Sequence, residues 1–115
     1  MRFIPALLPI FLALVAAFDQ DTCACLSHKP GADHDEYDRD LTKWTCLHDY
    51  AGKADFDSAS GECIAFDHQQ LGGDRFQNDC IWRGVAEGFY RYNDDGSVDK
   101  KSGLFFVSGA SSKCE

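Results

Sequence analysis

Thr22-Cys23-Ala24-Cys25-Leu26 is the stretch around which the chain organises itself. In an extended strand residues two apart share a face, so Cys23 and Cys25 look the same way. They cannot bond each other, because a strand holds their alpha carbons about 7 Å apart with parallel side chains. Each needs its own partner among Cys46, Cys63, Cys80 and Cys114. The short strand is therefore predicted to be the point to which the domain is tied.

Upstream, Met1-Arg2 carries one positive charge and the run Phe3–Phe18 is apolar, with small residues at Val15-Ala16-Ala17. That pattern predicts a signal peptide over 1–17, cut after Ala17. A membrane anchor fits less well, since the run is shorter than a span of about 20 residues and Pro5 and Pro9 interrupt it. The mature chain, Phe18–Glu115, has 98 residues and is expected to be one secreted, disulfide-rich domain. An even count of six cysteines in such a chain predicts three disulfides. Zinc is disfavoured because Cys46, Cys63 and Cys80 are isolated from one another. Loss of Arg2 moves the formal charge from −8 to −9. A field of that sign disfavours nucleic acid and anionic membranes as partners.

Downstream, Pro30-Gly31 marks a turn. Asp33 and Glu36 have the form of a capping box, and Tyr37, Leu41, Trp44, His48 and Ala51 follow helical spacing. A first helix over Asp35–Ala51 is expected, closed by Gly52, with Trp44 at the centre of its buried stripe. Cys46 falls on the opposite side, with Thr42, Leu47 and Tyr50, so either the buried arc is broad or Cys46 marks its edge. Ala54–Asp57 and Glu62–Asp67 alternate around Ser58–Gly61 and predict a hairpin, with Ile64 and Phe66 inward and Cys63 outward. Asp74, Phe76, Cys80 and Arg83 predict a short second helix ending at Gly84. Val85–Tyr92 and Leu104–Ser108 are strand-like, separated by a turn at Asn93–Gly96, and Gly109–Lys113 is small and polar. The order predicts an α+β fold of the split βαβ, ferredoxin-like kind: an antiparallel sheet with two helices on one face. The alternative is an all-β domain keeping only the first helix.

The faces predict a pairing. Cys80 stacks above Phe76 and points inward, so Cys23 and Cys25 would divide Cys46 and Cys80 between them. Outward-facing Cys63 would then meet Cys114.

No motif carries chemistry strongly. His28, His34, His48 and His68 each lie near acids or turns, but no pair has metal-ligand spacing. A guanyl-specific fungal ribonuclease would need a carboxylate base, an arginine and a histidine on one sheet. Glu87, Arg91 and one histidine are the candidates, yet the Tyr-Glu, Asp-Arg-Val and His-Thr-Gly elements of that family are missing. Gly-x-Ser-x-Gly is absent, and an even cysteine count leaves no free thiol nucleophile. Asn93–Asp99 lacks the ligand spacing of a calcium loop. No catalytic, metal or cofactor-binding residue is therefore assigned.

The leader, the Cys-x-Cys strand, Trp44-Thr45-Cys46 and the single cysteines that follow resemble small cysteine-rich proteins secreted by filamentous fungi. Among these the chain resembles the group with the α/β fold of the smut-fungus viral killer toxins, which includes candidate effectors. The resemblance rests on the six cysteines, and Lys100-Lys101 is the only counterpart of the family's dibasic processing sites. It implies a monomeric, non-enzymatic interaction protein acting outside the producing cell on an extracellular protein or cell-surface target, without cofactor. A small secreted hydrolase is the alternative. A structural wall protein would show instead a flat patch of Phe and Tyr rings.

Overall fold

β1 (Thr22–His28) lies at the centre of the sheet and pairs with three strands at once. The computed structural model describes residues 21–67 and 69–115, so the leader expected over 1–17 and its cleavage site lie outside the described residues. Along one side of β1 runs β7 (Gly109–Cys114), in register from Cys23↔Cys114 to His28↔Gly109. The other side is shared: β4 (Glu62–Ala65) pairs at Thr22 and Cys23, and β2 (Glu36–Tyr37) at Leu26 and Ser27. β3 (Ala54–Asp57) pairs with β4 at the edge. All these pairs are antiparallel, and the chain is α+β.

The shared side leaves a gap in the ladder at Cys25. Its carbonyl accepts the Asp38 N–H at 3.0 Å, and its own N–H donates to Thr42 Oγ1 at 2.8 Å. Thr42 comes from α1 (Arg39–Asp49), so a helix side chain completes a strand's hydrogen bonding where no strand reaches. α1 and α2 (Gly73–Ile81) both pack on β1; α1 also covers β3 and β4, and α2 covers β7.

Register explains the disulfides. Cys63 and Cys114 are both directly opposite Cys23, so all three share the face that also carries Cys25. Cys23 bonds Cys114 across the strand pair, with alpha carbons 4.1 Å apart. Cys25 reaches Cys80 of α2, and Cys63 reaches Cys46 of α1, so both helices lie on that face. The expected Cys25 or Cys23 link to Cys80 is present, through Cys25. The expected Cys63–Cys114 bond is not formed, and Cys46 does not reach the first strand.

The error traces to one strand. Cys63 is fully buried, whereas Ile64 and Phe66 are 38% and 47% exposed, so β4 buries the opposite parity from that expected. Both faces of Glu62–Phe66 carry apolar groups, and a one-residue misreading inverts every side chain. Peptide mapping without reduction should therefore join Cys23 to Cys114, Cys25 to Cys80 and Cys46 to Cys63. A fragment joining Cys63 to Cys114 would overturn the register of β4 against β1.

Four further expectations are corrected. The first helix starts at Arg39 rather than Asp35, because Glu36 and Tyr37 are drawn into pairing with β1. Its cap is Asp38, whose Oδ1 accepts from Leu41 N at 3.0 Å while Oδ2 accepts from Ser27 Oγ at 2.8 Å. It buries Leu41, Thr42, Thr45 and Cys46, so Trp44 flanks the core and does not centre it.

The second helix does not stop at Gly84. It continues as a π-helical segment, Trp82–Glu87, and ends at Gly88 with φ +81°. Gly84 is instead a close-approach residue: a Cβ there would sit 2.9 Å from Val107 Cγ2 and 3.1 Å from Leu41 Cδ2.

Finally, Gly109–Cys114 is a full strand, and Leu104–Ser108 contributes only a bridge between Phe105 and Phe89. The hairpin over 54–65 and the turn at Asn93–Gly96 are present, the latter joining β5 (Arg91–Tyr92) to β6 (Val98–Asp99).

Candidate functional site

The residues weighed for catalysis are dispersed. His48 stacks on Trp44, with ring centroids 3.8 Å apart, and its Nδ1 lies 2.8 Å from the Trp44 carbonyl. His34 is exposed beside Asp33. Glu87 accepts from Arg83 at 3.0 Å, and the same guanidinium grips Asp49 at 2.6 and 3.0 Å. Arg91 is elsewhere, over the ring of Phe105 at 3.8 Å. His68 lies outside the described residues. Among the described residues no group of three His, Cys, Asp or Glu side chains is arranged to hold a metal ion.

One cluster brings a serine, an aspartate and a histidine together. Ser111 Oγ donates to Asp35 Oδ2 at 2.6 Å, and His28 Nδ1 lies 3.1 Å from Asp35 Oδ1. The order is wrong for nucleophilic catalysis, which needs the imidazole between hydroxyl and carboxylate. With the carboxylate in the middle, the serine proton is directed to Asp35 and no base activates the hydroxyl. The cluster acts as a clamp between β1, β7 and the loop before β2.

The Ser111 hydrogen bond, helped by His28, holds the Asp35 carboxyl below its ordinary value of 3.8. A depressed carboxyl contributes stability that is complete above the ordinary value and is lost as pH falls through the lowered one. An NMR titration of the Asp35 side chain should inflect below 3.8, and S111A should move it upward. An inflection unmoved by S111A would remove the clamp.

The strongest site is a groove of about 330 Å³ beside the start of α1. It is lined by Lys29 and Pro30, by Tyr37–Asp40, and by Phe89, Arg91 and Phe105–Val107. Local structure fixes these parts. The Phe89–Phe105 bridge is held by paired backbone hydrogen bonds of 3.0 and 2.8 Å, and Val107 N donates to Gly84 O at 2.9 Å. Tyr92 N reaches Asp40 Oδ1 at 3.3 Å and fastens β5 to the helix start. Phe106 is 58% exposed at the rim.

The acids of the groove are occupied by neutral donors: Asp38 by Ser27 and Leu41, Asp40 by Tyr92. Its two arginines lie against rings and a carbonyl instead. Arg91 covers Phe105, and Arg39 sits 5.1 Å from the Phe56 ring centroid while donating to Ser58 O. Next to Arg39, Lys43 stands over Tyr92 at 4.3 Å.

Sequence reasoning singled out Arg91 but missed Lys29, Arg39 and the phenylalanine pair. One signal was present. Arg39 opens a helix, where a positive charge opposes the macrodipole, but that is visible only once the helix start is placed correctly.

Searches against family models, curated proteins and solved structures return no match for this chain.

Proposed function

We propose that the protein is exported and serves as a disulfide-stapled interaction scaffold of the effector or toxin type its cysteine pattern resembles. The observation that carries this reading is the groove beside α1. It offers exposed rings and cations on a frame tied by three disulfides, whereas Glu87, Arg91 and the described histidines stand apart. A rigid frame presenting adaptable surface loops suits binding, because little ordering entropy remains to be lost on association.

The strand order β7-β1-β4-β3, all antiparallel with both helices on one face, supports reading the fold as the split βαβ plan. Three disulfides, whose cysteines are fully buried except for Cys114, and an apolar leader support an oxidising, extracellular destination. Among the described residues no helix is long and apolar enough to cross a membrane. The large apolar side chains left exposed fall on separate elements, among them Ile64 and Phe66 on the hairpin and Trp82 and Val85 on the π-helical segment. That distribution favours discrete contacts over the flat aromatic patch of a wall protein.

Secreted material should begin at Phe18 and weigh six hydrogens less than its reduced form. The mature protein should bind an extracellular or cell-surface protein saturably, with a fixed stoichiometry in sedimentation, and should leave RNA intact. RNA cleavage abolished by E87Q or R91Q would replace this reading with the ribonuclease.

A further inference from the structure

Four arginines lie in the described chain, and the fold treats them in two ways. Arg75 is 4.0 Å from Asp79, and Arg83 is bound to both Asp49 and Glu87. Arg39 and Arg91 stand within ion-pair distance of no described carboxylate, and both line the groove beside α1, as does Lys29. The described lysines are likewise without ion pairs, so what marks this site is that Arg39, Arg91 and Lys29 line one groove.

We propose that this groove binds a short acidic segment of a partner protein, one or two carboxylates beside an apolar side chain, through Arg39, Arg91 and Lys29. The inference rests on the reading of the protein as an interaction scaffold and specifies its partner. Three observations select this occupant.

First, the guanidinium groups are fixed but not neutralised. Stacking of Arg91 on Phe105 and the bond from Arg39 to Ser58 O hold both heads in place, so less ordering is needed to meet a carboxylate. Second, the walls contributed by Pro30, Phe89, Phe106 and Val107 are apolar, which suits a side chain between the charges. Third, one ring face in the groove on which a sugar would stack, that of Phe105, is taken by Arg91. A long polyanion would also meet the repulsion of a mature chain carrying −9 overall. A short acidic motif meets three cations, Lys29, Arg39 and Arg91, against the two carboxylates of Asp38 and Asp40 in the same groove, a local excess of positive charge. Screening beyond about 8–10 Å spares it most of the wider negative field.

The test uses the mature chain and two fluorescein-labelled peptides, Glu-Phe-Glu and Lys-Phe-Lys triplets each flanked by Gly and Ser, with polygalacturonate as a third probe. Fluorescence polarisation at low salt should favour Glu-Phe-Glu over Lys-Phe-Lys by about tenfold or more, the size of one lost charge-assisted contact. R39Q and R91Q should each weaken it by a similar factor, and K53Q, outside the groove, should not. Salt near 1 M, where the Debye length is about 3 Å, should erase the preference in the unaltered protein, which serves even if a variant misfolds. Equal affinity for the two peptides, stronger binding of polygalacturonate, or binding indifferent to both arginine changes would overturn the proposal. The two readings separate in a parallel capture experiment. A partner held equally by the unaltered protein and by R39Q/R91Q leaves the scaffold role standing and removes the acidic segment. Glu-Phe-Glu binding with no partner captured would do the reverse.

Discussion

Replacing Cys25 and Cys80 together by alanine is expected to abolish the cooperative unfolding transition or lower it far below that of the parent. The bond spans 55 residues, and closing a loop of that length restricts the unfolded chain by about 4 kcal/mol. Typical domain stabilities are about 5–15 kcal/mol. The Cys23–Cys114 bond spans 91 residues and has a slightly larger loop term, about 5 kcal/mol. Position reverses the ranking. Cys23 and Cys114 close a strand pair that six register positions already hold together. Cys25–Cys80 is the covalent tie between the sheet and α2, with both residues fully buried, so its loss also opens a cavity under the helix. Thermal melts of C25A/C80A, C23A/C114A and C46A/C63A should therefore rank the first as the most damaging. A larger loss in C23A/C114A would mean that loop entropy outweighs the packing beneath α2.

The cysteines made much of this frame legible. An even count, a Cys-x-Cys strand and an inward Cys80 point to three bridges and to a tie between Cys80 and the first strand, with the choice between Cys23 and Cys25 left open. The turns at Ser58–Gly61 and Asn93–Gly96 were readable because their residues favour left-handed or hydrogen-bonded turn geometry. Gly61 and Gly96 do adopt positive φ, +78° and +91°.

What stayed hidden depended on tertiary pairing. Gly109-Ala-Ser-Ser-Lys-Cys114 has little intrinsic strand preference. It becomes a strand because β1 offers an open edge, a disulfide anchors one end and Ser111 is held by Asp35. The start of α1 was misplaced for a related reason. Asp33 and Glu36 satisfy a capping pattern locally, but pairing of Glu36 and Tyr37 with β1 leaves Asp38 to cap the helix. The groove inherits this dependence, since its walls come from loops brought together by the Phe89–Phe105 bridge and by Tyr92 reaching Asp40.

The rotation of α1 sets the last expectation: Tyr50, not Trp44, should be the aromatic residue the core least tolerates losing. Tyr50 is 1% exposed, and its ring lies against Phe76 of α2 with centroids 5.4 Å apart. Its hydroxyl donates to Asp79 Oδ2 at 2.7 Å, so one side chain joins the end of α1 to α2 by packing and by a charge-assisted bond. Burial, reinforced by Asp79, pushes the phenol well above its ordinary value of 10.0, so it remains a neutral donor through physiological and alkaline pH. Trp44 is larger but only partly buried, resting on exposed His48 and the edge of Tyr90. Its indole Nε1 is also buried without a hydrogen-bond partner among the described residues, which offsets part of what its ring contributes. Truncating a buried aromatic costs about 3–5 kcal/mol, and Y50A should fall in that range. Y50F keeps the ring and should lose about 1 kcal/mol, because Asp79 is partly exposed and can turn to water. W44A should lie between Y50F and Y50A in urea denaturation. If W44A instead proved the most damaging of the three, the core would centre on the Trp44 side of α1, and the burial of Thr42, Thr45 and Cys46 would need to be reassigned.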